Sequence, residues 1–238
     1  MTEMSGNETG RLAGTKRGGN DLLANEIARI IKQKIQYEEY KGGDRLVVRK
    51  LCEDFGASET PVKQALNQLM SVGLVSATPN CGMRVSTFGV EEFKQVLIAR
   101  KMIEMFCARD AVLKVRRDHA FAEQMKELLE RSNRQYERCI EDFTKENFSE
   151  IPENDRMLHA QIVCAGENAE IIRMYNGLNS HAGMFTGYSR HSPQTLRNVI
   201  SQHNEIVEAL LICDVDGLRA AIEKHIQSTI EVFEKKAG

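Results

Sequence analysis

From Val90 to the end of this 238-residue chain no stretch alternates apolar and polar residues convincingly, and apolar side chains instead recur every three and four positions. A strand turns successive side chains to opposite faces, so a helical period of this kind cannot be buried in a sheet. The second part of the chain is therefore expected to be an antiparallel bundle of about six helices. They should run over approximately 91–115, 118–146, 153–166, 168–187, 193–213 and 215–236, with breaks around Ser149 to Pro152, Gly166 to Asn168, Ser192-Pro193 and Cys213-Asp214.

The first part reads differently. Residues 1–19 are rich in Gly, Ser, Thr and charge and nearly free of large apolar side chains, which predicts a disordered tail. In "NDLLANEIARIIKQKIQ" apolar residues at 23, 27, 30, 31 and 35 give a helix with Asn20 or Asp21 as N-cap, ended by "YKGGD". Two short helical patterns follow, separated by Gly56-Ala57-Ser58, with Ser58 or Thr60 as N-cap and Pro61 tolerated in a first turn that needs no donor there. "LVSATPNCGMRVST" then gives two extended runs around a Pro-Asn-Cys-Gly turn. The fold class is mainly α: a winged helix-turn-helix over 20–88 followed by an all-α antiparallel helical bundle over 89–238.

On the helix from Thr60 to Val72, Val62, Ala65, Leu66 and Leu69 share one face, which leaves Lys63, Gln64, Asn67 and Gln68 on the other. Gln and Asn can bridge adenine in the major groove, and Lys can meet guanine or phosphate. Such a polar face is equally often just a solvated one. The arrangement "GDRLVVRKLCEDFGASETPVKQALNQLMSVGLV", with "TPNCGMRVS" as a wing, resembles the GntR family of regulators at Leu46, Leu51, Gly56, Ser58, Thr60-Pro61-Val62, Ala65-Leu66, Leu69 and Gly73-Leu74. The likeness covers approximately residues 21–88. It implies DNA contacts from Arg49, Ser58, Thr60, Lys63, Gln64, Asn67 and Arg84. Glu59, Lys63 and Cys81 stand where the family commonly has arginine. Glu59 would face a polyanion without a matching charge, which predicts weaker or differently specified binding, and Lys63 lacks the bidentate fork of Arg.

In "NDRMLHAQIV" Asp155 and His159 lie four positions apart, so they leave the same side of a helix. Two more imidazoles come from the last two helices: His203 and His225 each stand 11 residues from Asp214 (214 − 203 and 225 − 214). In an antiparallel hairpin they share one level, roughly 16 Å from the turn. Both fall on apolar stripes, and an uncompensated Asp155 on the inward side of its helix would be costly. A lone histidine in such a place is more often a hydrogen-bonded core residue, but a divalent ion would satisfy all four groups. Residues 90–236 resemble the FCD ligand-binding domain of the FadR subfamily, through "VLIARKMIEMFCARDAV", "NDRMLHAQIVCAGENAEII" and the two-histidine hairpin. That resemblance implies a metal held by Asp155, His159, His203 and His225, with Arg100 pointing into the same cavity toward a small effector. The alternative for Arg100 is an intrahelical pair with Glu104. Three imidazoles and a carboxylate suit zinc, nickel or another first-row ion, and with Arg100 nearby the cavity should prefer a small organic acid. His119, His181 and His191 have no assigned partner.

Residues 1–88 hold 12 Lys and Arg against 10 Asp and Glu (+2), and residues 89–238 hold 20 against 24 (−4), which sum to the net charge of −2. This permits DNA binding without announcing it. The six cysteines lie at least 25 positions apart with no C-x-x-C pair, so they read as reduced packing thiols. No run is apolar enough for a membrane span or a signal peptide, which predicts a cytoplasmic protein with no membrane partner. The expected function is a one-component transcription regulator, not an enzyme: a homodimer that binds a palindromic operator in double-stranded DNA under control of a metal-bound organic acid. The competing readings are a metal-dependent enzyme acting on a small carboxylate, a metal-ion sensor, and a winged helix used for protein docking.

Overall fold

The computed structural model describes residues 18–78, 82–87, 89–178 and 191–235. The expected tail over 1–19 falls almost entirely outside them, as do Cys81, His181 and the end of the helix expected over 168–187. The chain divides into two compact units, one up to Thr87 and one from Phe88.

The first unit comprises α1 (Gly18–Gln36), β1 (Arg45–Leu46), α2 (Val48–Phe55), α3 (Glu59–Ser71), β2 (Val75–Thr78) and β3 (Gly82–Val85). The strands form an antiparallel sheet in the order β1-β3-β2, with Leu46 opposite Met83 and Ser76 opposite Arg84. β1 is the element absent from the sequence reading, since two residues are too few to display a period. Asn20 and Asp21 lie inside the first turn of α1 rather than capping it, because the helix already begins at Gly18. Ser58 is the N-cap of α3. Gly56 ends α2 in the left-handed conformation (φ 60°), and its amide meets the Cys52 and Glu53 carbonyls. A Cβ is disfavoured there, so glycine makes the sharp turn into α3 cheap. α1 packs on α3, and Ile27, Ile31, Ile35, Leu51, Val62, Ala65, Leu66 and Leu69 are buried.

In the second unit the helices are α4 (Val90–Arg117), α5 (His119–Glu141), α6 (Lys145–Phe148), α7 (Ile151–Cys164), α8 (Ala169–Gly177), α9 (Pro193–Leu211) and α10 (Val215–Lys235). α4 packs on α7, α9 and α10, and α5 packs on α7 and α9. Their shared core includes Phe93, Leu97, Met125, Leu158, Ile162, Ile206, Val207, Leu218, Ile222 and Ile226. The helix expected over 118–146 instead stops at Glu141, and Thr144 starts α6 by accepting from the Asn147 amide. Pro152 lies within the first turn of α7 instead of before it, where a missing N–H costs no intrahelical bond. Cys213, at φ 61°, turns the chain between α9 and α10, and the Asp214 carboxylate accepts from the Gly217 amide. A Cβ on Gly217 would collide with that carboxylate. This tight corner fixes the register of the last two helices.

Leu66, fully buried under α1, is expected to cost about 2–5 kcal/mol of local stability when replaced by alanine. Hydrogen exchange of the α1 and α3 amides should accelerate accordingly, and unchanged protection would contradict the assigned packing.

Candidate functional site

Asp155 and His159 occupy one face of α7, one turn apart and fully buried, beside Leu158 and Ile162, which anchor that face in the core. The α9–α10 corner brings His203 and His225 to one level, with ring centroids 4.7 Å apart. The His159 ring lies 5.3 Å from that of His203 and 4.8 Å from that of His225. The structure thus brings together all four residues singled out in the sequence.

Their donor atoms crowd around one centre. Asp155 Oδ1 stands 3.2 Å from His203 Nε2, 3.6 Å from His225 Nε2 and 3.9 Å from His159 Nε2. His159 Nε2 and His203 Nε2 are 3.4 Å apart, and one ligand atom from each of the four residues lies within 4.8 Å of the others. Ligand atoms at roughly 2.0–2.2 Å from a tetrahedral ion would be separated by about 3.3–3.6 Å, so the closer spacings fit one ion and the wider ones would have to close on it by roughly 1 Å. Asp155 Oδ1 is buried and, among the described residues, has no well-aligned hydrogen-bond donor, although three imidazole nitrogens surround it.

The outer nitrogens of two rings are held by acceptors. His159 Nδ1 lies 2.7 Å from Glu104 Oε2, and His225 Nδ1 lies 3.1 Å from Gln202 Oε1. An acceptor at Nδ1 places the proton there and leaves the Nε2 lone pair facing the centre. Burial pushes the His225 pKa down to about 3 and lowers that of His203, despite the opposing pull of Asp155. Both rings are therefore neutral at pH 7, the form that ligates a metal.

Behind the imidazoles lies a buried charge network. Arg100 donates from Nε to Glu104 Oε1 at 2.6 Å and from Nη1 to Asp155 Oδ2 at 3.0 Å, while Tyr175 OH donates to Glu104 Oε1 at 2.7 Å. Burial raises the Glu104 pKa, but the Arg100 charge and the hydrogen bonds from His159 and Arg100 outweigh it and hold the carboxyl at about 2. Burial opposes ionisation of Asp155 too, and the Arg100 guanidinium holds it well below the usual carboxylate range. Arg100 thus makes the intrahelical pair weighed as its alternative and also reaches the site, with Nη2 buried and unpartnered. Asp155, Glu104 and Arg100 sum to −1 (−1 − 1 + 1), so a divalent ion would leave a net +1.

Sequence reasoning did not single out Tyr175, Gln202, Ser132 or Tyr136, and it treated Glu104 only as a partner for Arg100. Gln202 sits beside His203 on a helix where no period marks it. Ser132 and Tyr136 share a face of α5, and among the described residues neither buried hydroxyl has a partner, nor does His203 Nδ1. The Tyr136 ring stands edge-on to His203 at 5.8 Å. Their i, i+4 spacing was the available signal.

In the first unit, α3 buries Pro61, Val62, Ala65, Leu66 and Leu69 and exposes Thr60, Lys63, Gln64, Asn67 and Gln68. Gln68 is tied to Asn25 of α1 at 2.8 Å, which leaves Lys63, Gln64 and Asn67 as the forward face. Glu59 does have a matching charge: its carboxylate meets Lys63 Nζ at 2.6 Å. Ser58 and Arg49 are exposed, Arg49 beside Glu53 at 3.3 Å, whereas Arg84 donates to the Gly43 carbonyl at 2.8 Å.

A model of the FCD domain matches residues 95–228, more than half the chain, and one of the gntR family of bacterial regulatory proteins matches residues 23–85. The chain is 24% identical over 225 residues to the HTH-type transcriptional regulator McbR of Escherichia coli strain K12, spanning 93% of this chain and 97% of that protein. It is 23% identical over 221 residues to a probable D-xylose utilization operon transcriptional repressor of Paenarthrobacter nicotinovorans, spanning 90% of each. The solved structure of E. coli McbR/YncC superposes with a TM-score of 0.70 at 22% identity, covering 91% of this chain and 99% of that one.

Replacing Glu104 by Gln is expected to weaken divalent-metal affinity about 10–100-fold by loosening His159. It should also lower thermal stability, because Arg100 loses one of its two buried carboxylate partners. Competition with a metallochromic chelator reads the first effect; unchanged affinity would remove Glu104 from the metal's support.

Proposed function

This chain belongs to the FCD-domain branch of the gntR family of bacterial transcription regulators, and from that premise we propose that it senses a small organic acid through a bound divalent metal. The observation that carries the reading is the buried convergence of Asp155 Oδ1 with three imidazole nitrogens. Asp155, His159, His203 and His225 hold a first-row ion, zinc or nickel by the chemistry of the donors. Bound there, the ion supplies a Lewis-acidic position for an effector oxygen. Arg100 Nη2, Ser132 Oγ and Tyr136 OH offer hydrogen bonds that nothing else in the described residues satisfies, and a carboxylate or hydroxycarboxylate matches donors of that kind.

The regulator acts as a cytoplasmic homodimer on a palindromic operator, because one recognition helix reads too few base pairs for useful specificity. Lys63, Gln64 and Asn67 enter the major groove, with Arg49, Ser58, Thr60 and Arg84 toward the backbone. Consistent with that setting, no helix among the described residues is long and apolar enough to cross a membrane. The relative described as a D-xylose operon repressor makes an operon of carbon metabolism a reasonable target class. The effector binds one dimer arrangement better than the other, and a coupling of about 1–3 kcal/mol changes operator affinity roughly 5–150-fold.

Protein purified without chelator or histidine tag should carry near one equivalent of metal, and a His203→Ala/His225→Ala variant little. On a duplex selected from a random library, lactate, malate or citrate should shift the affinity of the wild type within that range and leave the double variant unmoved. Metal absent from both proteins would overturn the reading. Separately, Glu59→Gln should release Lys63 from its ion pair and tighten binding to that duplex, with a salt dependence steeper by about one charge; weaker binding would place Glu59 in a positive role.

A further inference from the structure

Glu59 is the first residue of α3, directly after its N-cap Ser58, and it is exposed. Steps of four residues carry one row along the helix from Glu59 through Lys63 to Asn67, and all three are exposed. The forward face of α3 therefore begins one turn before Lys63, at a carboxylate. In a helix-turn-helix the N-terminal residues of the second helix are those that meet base edges.

Lys63 fixes that carboxylate. Its Nζ donates to Glu59 Oε2 at 2.6 Å, and this bond with the ammonium charge keeps the carboxyl below its ordinary range, so it is ionised at neutral pH. The pair engages Oε2 and does not use Oε1. An ionised carboxylate only accepts hydrogen bonds, whereas Lys63, Gln64 and Asn67 all donate. In the major groove guanine presents the acceptors N7 and O6, thymine the acceptor O4, adenine a donor beside an acceptor, and cytosine the N4 donor. Cytosine alone offers a donor with no acceptor of its own beside it.

We propose that Glu59 is a specificity-determining residue of the DNA complex, accepting from cytosine N4 and rejecting guanine at one position of each half-site. The proposal rests on α3 as the groove helix, as read in the preceding section, and adds what one of its side chains selects. Against guanine the carboxylate sets acceptor against acceptor, and its charge repels phosphates whatever the sequence. Glu59 thus lowers affinity for DNA in general while sharpening the choice among sequences. The tightening expected of Glu59→Gln and a loss of selectivity are two results of one substitution, because an amide donates as well as accepts. A first-turn glutamate also suits the helix dipole, but a structural role of that kind leaves base preference unchanged.

Selection of duplexes from a random library by the full-length wild type, Glu59→Gln and Asn67→Ala tests this. At one position of each half-site the wild type should favour a C·G pair over the reversed pair by about 10-fold. Glu59→Gln should flatten that preference to within about twofold and leave the other positions in place, while Asn67→Ala alters a different one. Exchanging the guanine of that pair for 7-deazaguanine, which removes N7 and keeps cytosine N4, should leave wild-type affinity unchanged. Loss of affinity on that exchange, or an A·T pair favoured at the position that Glu59→Gln alters, would overturn the proposal. So would a Glu59→Gln profile identical to the wild type while Asn67→Ala changes its own, with α3 remaining the groove helix. Profiles unmoved by either substitution, or no enrichment by the wild type, would overturn the selectivity and the reading of α3 together.

Discussion

Asp155 is a carboxylate that the core has taken out of water, and the second unit is organised around keeping it there. An isolated charge at that depth is strongly unfavourable, so every neighbour bears on it: Arg100 bonds one oxygen, and three imidazoles face the other. Arg100 would itself be a buried charge without Glu104, and Glu104 in turn takes hydrogen bonds from Tyr175 and His159. Among the described residues the network leaves Asp155 Oδ1, Arg100 Nη2 and His203 Nδ1 without a hydrogen-bond partner, and Asp155 Oδ1 faces the three imidazoles.

This arrangement draws on α4, α7, α9 and α10, which also supply the surrounding apolar core, and on α8 through Tyr175. Packing sets the positions of the four donor residues and the polar network holds their side chains. Among the described residues the site is unsatisfied on the α5 side, where the Ser132 and Tyr136 hydroxyls lack partners. A buried polar group without a partner costs about 1–3 kcal/mol, and retaining two beside a charged centre is reasonable where a ligand completes them.

Much of this was legible in the sequence because it depends on spacing. The four-residue step from Asp155 to His159 and the equal 11-residue arms about Asp214 survive folding unchanged, since helical rise fixes both. Likewise, the alternation of Val62, Ala65, Leu66 and Leu69 with Lys63, Gln64 and Asn67 became the buried and exposed faces of α3. What spacing does not encode is which side chain on another helix meets a given atom. Glu104 beside His159, Tyr175 beside Glu104 and Gln202 beside His225 are products of interhelical packing. The Glu59–Lys63 pair was within reach as an i, i+4 step, but the comparison with the usual arginines drew attention away from it. β1 and the early end of α5 escaped because each depends on one or two residues.

X-ray absorption at the metal edge of cobalt-loaded full-length protein tests the central claim most directly. Three imidazoles and a carboxylate oxygen predict nitrogen and oxygen scatterers at about 2.0–2.2 Å, with the outer-shell pattern of histidine rings reduced in the His203→Ala/His225→Ala variant. A sulfur shell at about 2.3 Å, or a spectrum of the hydrated ion alone, would contradict it.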